Sequence, residues 1–129
     1  MISYIVPTMW KYEPFPDFML DLANHPSIGE ILIIDNNHSE RPKNHPIFVN
    51  DKIKILHFGK NLFVNPSWNA AYQVSQFDRL AIANDDIIFD MRVFKKVYDV
   101  ITENVGVIGL SLHPNGDHIT DGVIRVQQF

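Results

Sequence analysis

Residues 79–90 read RLAIANDDIIFD, and they set Asn84, Asp85 and Asp86 in a polar break between two apolar runs. Two carboxylates on a tight loop offer hard oxygen donors of the kind that Mg²⁺ or Mn²⁺ takes, with phosphates and waters completing the shell. Neighbouring residues on extended backbone point to opposite sides, so one carboxylate can face an ion while the other meets a different ligand group. The same dipeptide also fits an Asx turn at Asp85 with Asp86 simply solvated. Asp35, after the apolar run ILII, can accept hydrogen bonds from a nucleobase or ribose, or can end its strand as an Asx-turn residue. Asn61 and Asn69 carry amides able to bond a ligand, or else to finish a turn and decorate a helix surface.

Other chemistries find less support. The six histidines, His25, His38, His45, His57, His113 and His118, are scattered without HxxxH or HxH spacing, which argues against a histidine metal site. No GxxxxGK[ST], GxGxxG or GxSxG occurs, so a glycine-rich phosphate loop and a serine-hydrolase elbow are unsupported. The absence of cysteine removes disulfides, thiolate zinc sites and thiol nucleophiles together, and is compatible with a reducing, cytoplasmic setting. Trp10 and Trp68 can stack on a ligand ring or pack at the rim.

The chain has 129 residues, 46% of them hydrophobic and 20% charged, which fits one folded domain over 1–129. A net charge of −4 with no basic run beyond Lys95-Lys96 gives no footprint for a nucleic-acid polymer. No apolar stretch approaches the roughly 20 residues needed to span a bilayer, and the N-terminus lacks a signal-peptide pattern.

The elements that must position these residues follow from periodicity. ISYIVP, IGEILIIDNN, KIKILHF, RLAIAN and VGVIGLSL read as strands, the second so continuously apolar that both its faces should be covered. Phe15, Phe18, Met19 and Leu22 mark one face of a helix closed by His25-Pro26. In NPSWNAAYQVSQF, Asn65 is placed to cap a helix with Pro66 at its first position and Trp68, Ala71, Tyr72 and Ser75 on one face. MRVFKKVYDVIT reads as a third helix with Met91, Phe94, Val97 and Ile101 inward. The order β-α-β-β-α-β-α-β predicts an α/β three-layer sandwich with a mostly parallel sheet. Ligands collect beyond the carboxyl ends of such strands, where PTMWKYE, DNNHSE, FGKNLFVN and NDDIIFD begin.

Taken in order, YIVPT (4–8), EILIIDNN (30–37), NLFVNPSWNAA (61–71) and AIANDDIIFD (81–90) resemble the nucleotide-binding half of the GT-A glycosyltransferases, especially the large inverting family two. The match covers roughly residues 2 to 110. The resemblance implies a metal-assisted glycosyltransferase, or the donor-binding half of one, using a nucleoside-diphosphate sugar with Mn²⁺ or Mg²⁺. It implies that Pro7 and Thr8 line the base pocket, that Asp35 bonds the base beside Asn36, and that Asn61 and Asn69 match the family's two asparagines. Asn84-Asp85-Asp86 stands at the DxD-type motif, which implies Asp85 near the ribose and Asp86 on the metal.

The chain departs from the family pattern at three places: Asn84 replaces the first Asp, Phe63 stands at the usual Gly, and Trp68 stands where many members have Arg. Only 43 residues follow Asp86, so the acceptor half reads as missing or shortened. A second copy or a partner chain is then expected to supply the acceptor site. Asp117 and Asp121 are late enough to act as general base, but HPNGDHITDG reads as a turn. A non-catalytic nucleotide-binding or assembly module is the alternative; a nucleotidyltransferase is disfavoured because PTMWKYE lacks the glycine- and lysine-rich loop.

Overall fold

The computed structural model describes residues 1–101, 105–110 and 124–128. The chain forms two compact units, Met1–Ile87 and Ile88–Phe129. The first holds β1 (Ile2–Thr8), α1 (Phe15–Ala23), β2 (Ile28–Asp35), β3 (Ile53–Leu56), α2 (Val64–Val74) and β4 (Arg79–Ile82). Two 3-10 turns, His38–Glu40 and Pro46–Val49, lie between β2 and β3. The second holds α3 (Val93–Val100) and the antiparallel pair β5 (Val105–Leu110) and β6 (Ile124–Gln128). The strand and helix order follows the sequence expectation. Among the described residues no helix is long and apolar enough to cross a membrane.

The four strands of the first unit are all parallel, in the order β3-β2-β1-β4. From β1 the chain steps to β2 on one side; from β3 it returns past β2 and β1 to β4 on the other. Because such crossovers are right-handed, opposite steps put α1 and α2 on opposite faces of the sheet. Ile31 to Ile34 are consecutive and completely buried. Since successive side chains alternate faces, both faces of β2 are covered, which explains its unbroken apolar run. Full burial of each such side chain contributes about 1.5–3 kcal/mol, an upper figure because unfolded chains are already partly collapsed.

On one face Ile5, Leu32 and Ile34 meet Ala71 of α2, with Leu56, Leu62 and Trp68 packed alongside. The helix approaches on Ser67 and Ala71, its two buried residues. Tyr72 is exposed, contrary to the expected stripe, because the small residues rather than the large ones face the sheet. α1 follows its sequence pattern, with Phe15, Phe18, Met19 and Leu22 all buried. α3 is shorter than expected: it buries Phe94, which meets Phe89 edge-on at 5.7 Å, while Met91 and Ile101 fall outside it. Ahead of α3, Asp90 accepts from the Arg92 backbone and guanidinium, and these bonds draw its carboxyl down to about 2.

The amino ends of the strands are tied by a buried carboxylate. Glu30 Oε1 accepts from Ser3 Oγ and from the Gln76 backbone N–H, each at 2.6 Å, and its Oε2 accepts from Lys54 Nζ at 2.9 Å. Burial pushes its pKa up, but the bonds from Ser3, Gln76 and Lys54 outweigh that and hold it below the ordinary value. This network joins three strands to the α2–β4 turn, where the Phe77 ring lies so close to Gly29 that a β-carbon there would sit 2.3 Å from it.

Candidate functional site

The sheet reverses its order of winding between β1 and β4, and in an open parallel sheet the crevice beyond that point receives ligands. Here β4 stops early: the last ladder pair is Ile5 with Ile82, whereas β1 pairs with β2 as far as Thr8 with Asp35. Pro7 fits this geometry. Ile5 turns its carbonyl toward β4, accepting from the Ala83 N–H at 3.1 Å, and Pro7, two residues on, faces the same way. Its missing N–H is therefore lost on the side where β4 has ended. The Ala83 carbonyl accepts instead from Trp68 Nε1 at 3.3 Å, so the indole fills a place in the ladder that proline vacates.

Where β1 and β4 part, Thr8 Oγ1 donates to Asp85 Oδ2 at 2.7 Å while accepting from the Trp10 backbone N–H at 2.9 Å. Trp10 takes a left-handed φ of 60°, uncommon for a bulky residue. Two hydrogen bonds hold it there, because its indole N–H also donates to Asp35 Oδ1 at 2.8 Å. Trp10 thus links Asp35 to Thr8, and through Thr8 to Asp85. Asp86 is exposed and, among the described residues, makes no hydrogen bond or ion pair. Asp85 and Asp86 lie in a turn after β4 rather than on extended backbone; Asp85 is tied to Thr8 and Asp86 is exposed.

The Asp35 carboxylate is completely buried. Its Oδ1 also accepts from the Asn37 N–H at 3.1 Å, and its Oδ2 faces His38 Nδ1 at 3.1 Å with Arg41 Nε at 3.9 Å. The Arg41 guanidinium lies over the Phe48 ring, 4.4 Å from its centre. His57, directly after β3, sets Nδ1 3.2 Å from the Asp35 carbonyl oxygen, and its ring stacks on that of His38 at 4.4 Å. Spacing along the chain gave no hint of this pairing. The signal lies in strand adjacency: both histidines follow the carboxyl ends of β2 and β3, which are neighbours in register.

The expected asparagines have separate fates. Asn36 is buried, its Oδ1 accepting from the Leu62 N–H at 3.0 Å and its Nδ2 donating to Ser67 Oγ at 2.9 Å. It staples the end of β2 to the entry of α2. Asn61 Oδ1 accepts from the Phe63 N–H at 2.7 Å, an Asx turn. Asn69, on α2, and Asn84 are exposed. Asn65 does not cap α2. The helix starts at Val64 with Phe63 as its cap residue, and Ser67 Oγ donates to the Phe63 carbonyl. Phe63 has φ 62° and ψ −167°, a region open essentially to glycine alone. Phe63 thus holds a glycine-type backbone conformation at the entry of α2.

Asp117 and Asp121 lie outside the described residues. No protein-family profile matches the chain, and no curated protein sequence is similar to it. Its fold is similar to the crystal structure of S. aureus TarS 1–349, a glycosyltransferase, with a TM-score of 0.56 and 18% identity over 76% of this chain. The match covers 31% of that chain, so this sequence spans about a third of it. At that identity the likeness establishes the α/β fold alone.

Proposed function

We propose that this chain binds a nucleoside-diphosphate sugar on the crevice rim and serves as the donor-binding part of a glycosyltransferase. The observation that carries the reading is the Thr8–Asp85 hydrogen bond at the point where β1 and β4 part. It fixes one carboxylate of the acidic pair and leaves Asp86 open beside it. A fold shared with a glycosyltransferase supports the same reading.

In this reading Pro7 and Thr8 wall the base pocket. Asp35 accepts from the base edge once His38, whose side chain is 53% exposed, swings off Oδ2. Asn36 shapes the wall by holding the Leu62–Phe63 turn, and Asn61, Asn69 and Asn84 offer amides along the rim. Asp85 meets the ribose. Asp86 is an exposed oxygen donor, unengaged among the described residues, which fits a hard divalent ion. A bound Mn²⁺ or Mg²⁺ supplies Lewis-acid stabilisation to the departing diphosphate. The acceptor oxygen bonds to the sugar's anomeric carbon as the bond to the diphosphate breaks, its hydroxyl proton passing to a general base supplied, with the acceptor site, by a second copy or partner chain.

Calorimetric titration of UDP- and GDP-sugars with and without Mn²⁺ tests the reading. Metal-dependent binding that Asp86→Ala removes is the expected result; no binding of any sugar nucleotide overturns it. Release of nucleoside diphosphate on adding acceptor distinguishes a transferase from a binding module.

A further inference from the structure

The two stacked imidazoles beside Asp35 take no part in the reading above beyond His38's movement, and their hydrogen bonds define their chemistry. A carboxylate oxygen and a peptide carbonyl are acceptors only, so the ring nitrogen facing each must carry the proton. His38 Nδ1 faces Asp35 Oδ2 and His57 Nδ1 faces the Asp35 carbonyl. In the neutral rings both Nε2 atoms therefore hold free lone pairs. Both Nδ1 edges face Asp35, so both Nε2 edges face away from it, on rings inclined by only 24°. An imidazole whose Nδ1–H is held by a carboxylate or carbonyl is the usual arrangement of a metal-ligating histidine, the partner fixing the tautomer and raising its basicity.

We propose that His38 and His57 form a site for a borderline divalent transition-metal ion such as Zn²⁺, bound through the two Nε2 atoms, with Asp35 as the residue that orients both rings. One ligand atom from each of Asp35, His38 and His57 lies within 4.8 Å of the others, which sets the two imidazoles side by side at the residue that orients them. Both rings are exposed, so they are free to turn about their side-chain bonds to bring the two lone pairs onto one ion, and water completes its shell. Imidazole donors favour Zn²⁺, Ni²⁺ and Cu²⁺ over the hard ions suited to Asp86. The guanidinium of Arg41, the nearest cation to the carboxylate, is drawn over Phe48. The site is thus chemically distinct from the acidic pair, and because it needs His38 on Asp35 Oδ2, ion binding here competes with a base for that oxygen.

The test titrates Zn²⁺ alone into the purified chain by calorimetry and follows Co²⁺ alone by its visible absorption. One ion per chain is expected, with affinity falling about tenfold or more in His38→Ala and in His57→Ala. Asp86→Ala is expected to retain the site, which separates this result from any failure of the sugar-nucleotide reading. Both histidines are at the surface, so the variants should fold; circular dichroism checks that they do. Absence of binding to the wild-type chain, or binding unchanged in both histidine variants, overturns the proposal.

Discussion

Thr8 donates its hydroxyl proton to Asp85 across 77 positions of the chain, at 2.7 Å. The bond spans the two strands whose divergence opens the crevice, and the same oxygen accepts from Trp10. A threonine hydroxyl can do both at once; valine, of similar shape, can do neither. Thr8→Val is therefore expected to weaken metal-dependent sugar-nucleotide binding about tenfold or more, the range for a hydrogen bond to a charged group. Thr8→Ser should restore most of it, as calorimetry of the three proteins would show. Equal affinities in all three would remove Thr8 from the site.

Asp86 carries the opposite expectation for stability. An exposed carboxylate with no partner among the described residues contributes little to folding, so Asp86→Ala should change unfolding free energy by no more than about 0.5 kcal/mol. Its effect should fall on ion-dependent ligand binding. A large drop in thermal midpoint would mean that the side chain has a structural role.

Phe63 stands in a glycine-type conformation while its side chain is 71% exposed. Phe63→Gly relieves about 1–3 kcal/mol of backbone strain, offset by up to about 1 kcal/mol of extra chain entropy. The variant is expected to be more stable in urea unfolding. A lower midpoint would show that the ring contributes more than its exposure suggests.

Glu30 gives the fold a pH dependence of known sign. Its pKa in the folded chain lies below the ordinary 4.5, so its stabilisation is complete above that pH and fades as pH falls through the folded value. Glu30→Gln leaves the Lys54 ammonium and the Gln76 N–H with a neutral partner, at a cost of about 2–3 kcal/mol at pH 7. Urea unfolding at pH 7 and pH 3.5 should show the wild-type advantage shrinking at the lower pH. An equal difference at both would place the cause in packing instead.

What the sequence disclosed depended on the kind of interaction. Buried parallel strands must be apolar on both faces, so ILII and its neighbours were legible as strands, and α1 carried its face openly in Phe15, Phe18, Met19 and Leu22. The position of the acidic pair after β4 followed from the same pattern. The entry of α2 was not legible: Asn65 and Pro66 look like a cap, but the turn held by Asn36 and Asn61 starts the helix earlier. Nor was the His38–His57 stack, since adjacency across β2 and β3 brings together residues that spacing along the chain keeps apart.

β4 is an edge strand of its unit, only partly buried, with Ile82 more than half exposed. Its pairing with β1 closes a far longer loop than the pairings of β1 with β2 or β2 with β3. Loop-closure entropy makes that contact the more expensive to form early, and the sparse burial makes it the cheaper to lose. That end of the sheet is therefore expected to assemble last and to open first. A form with β4 released would keep the contacts of β1, β2 and β3 while parting Asp85 from Thr8, which would give the acidic pair a local folding equilibrium of its own.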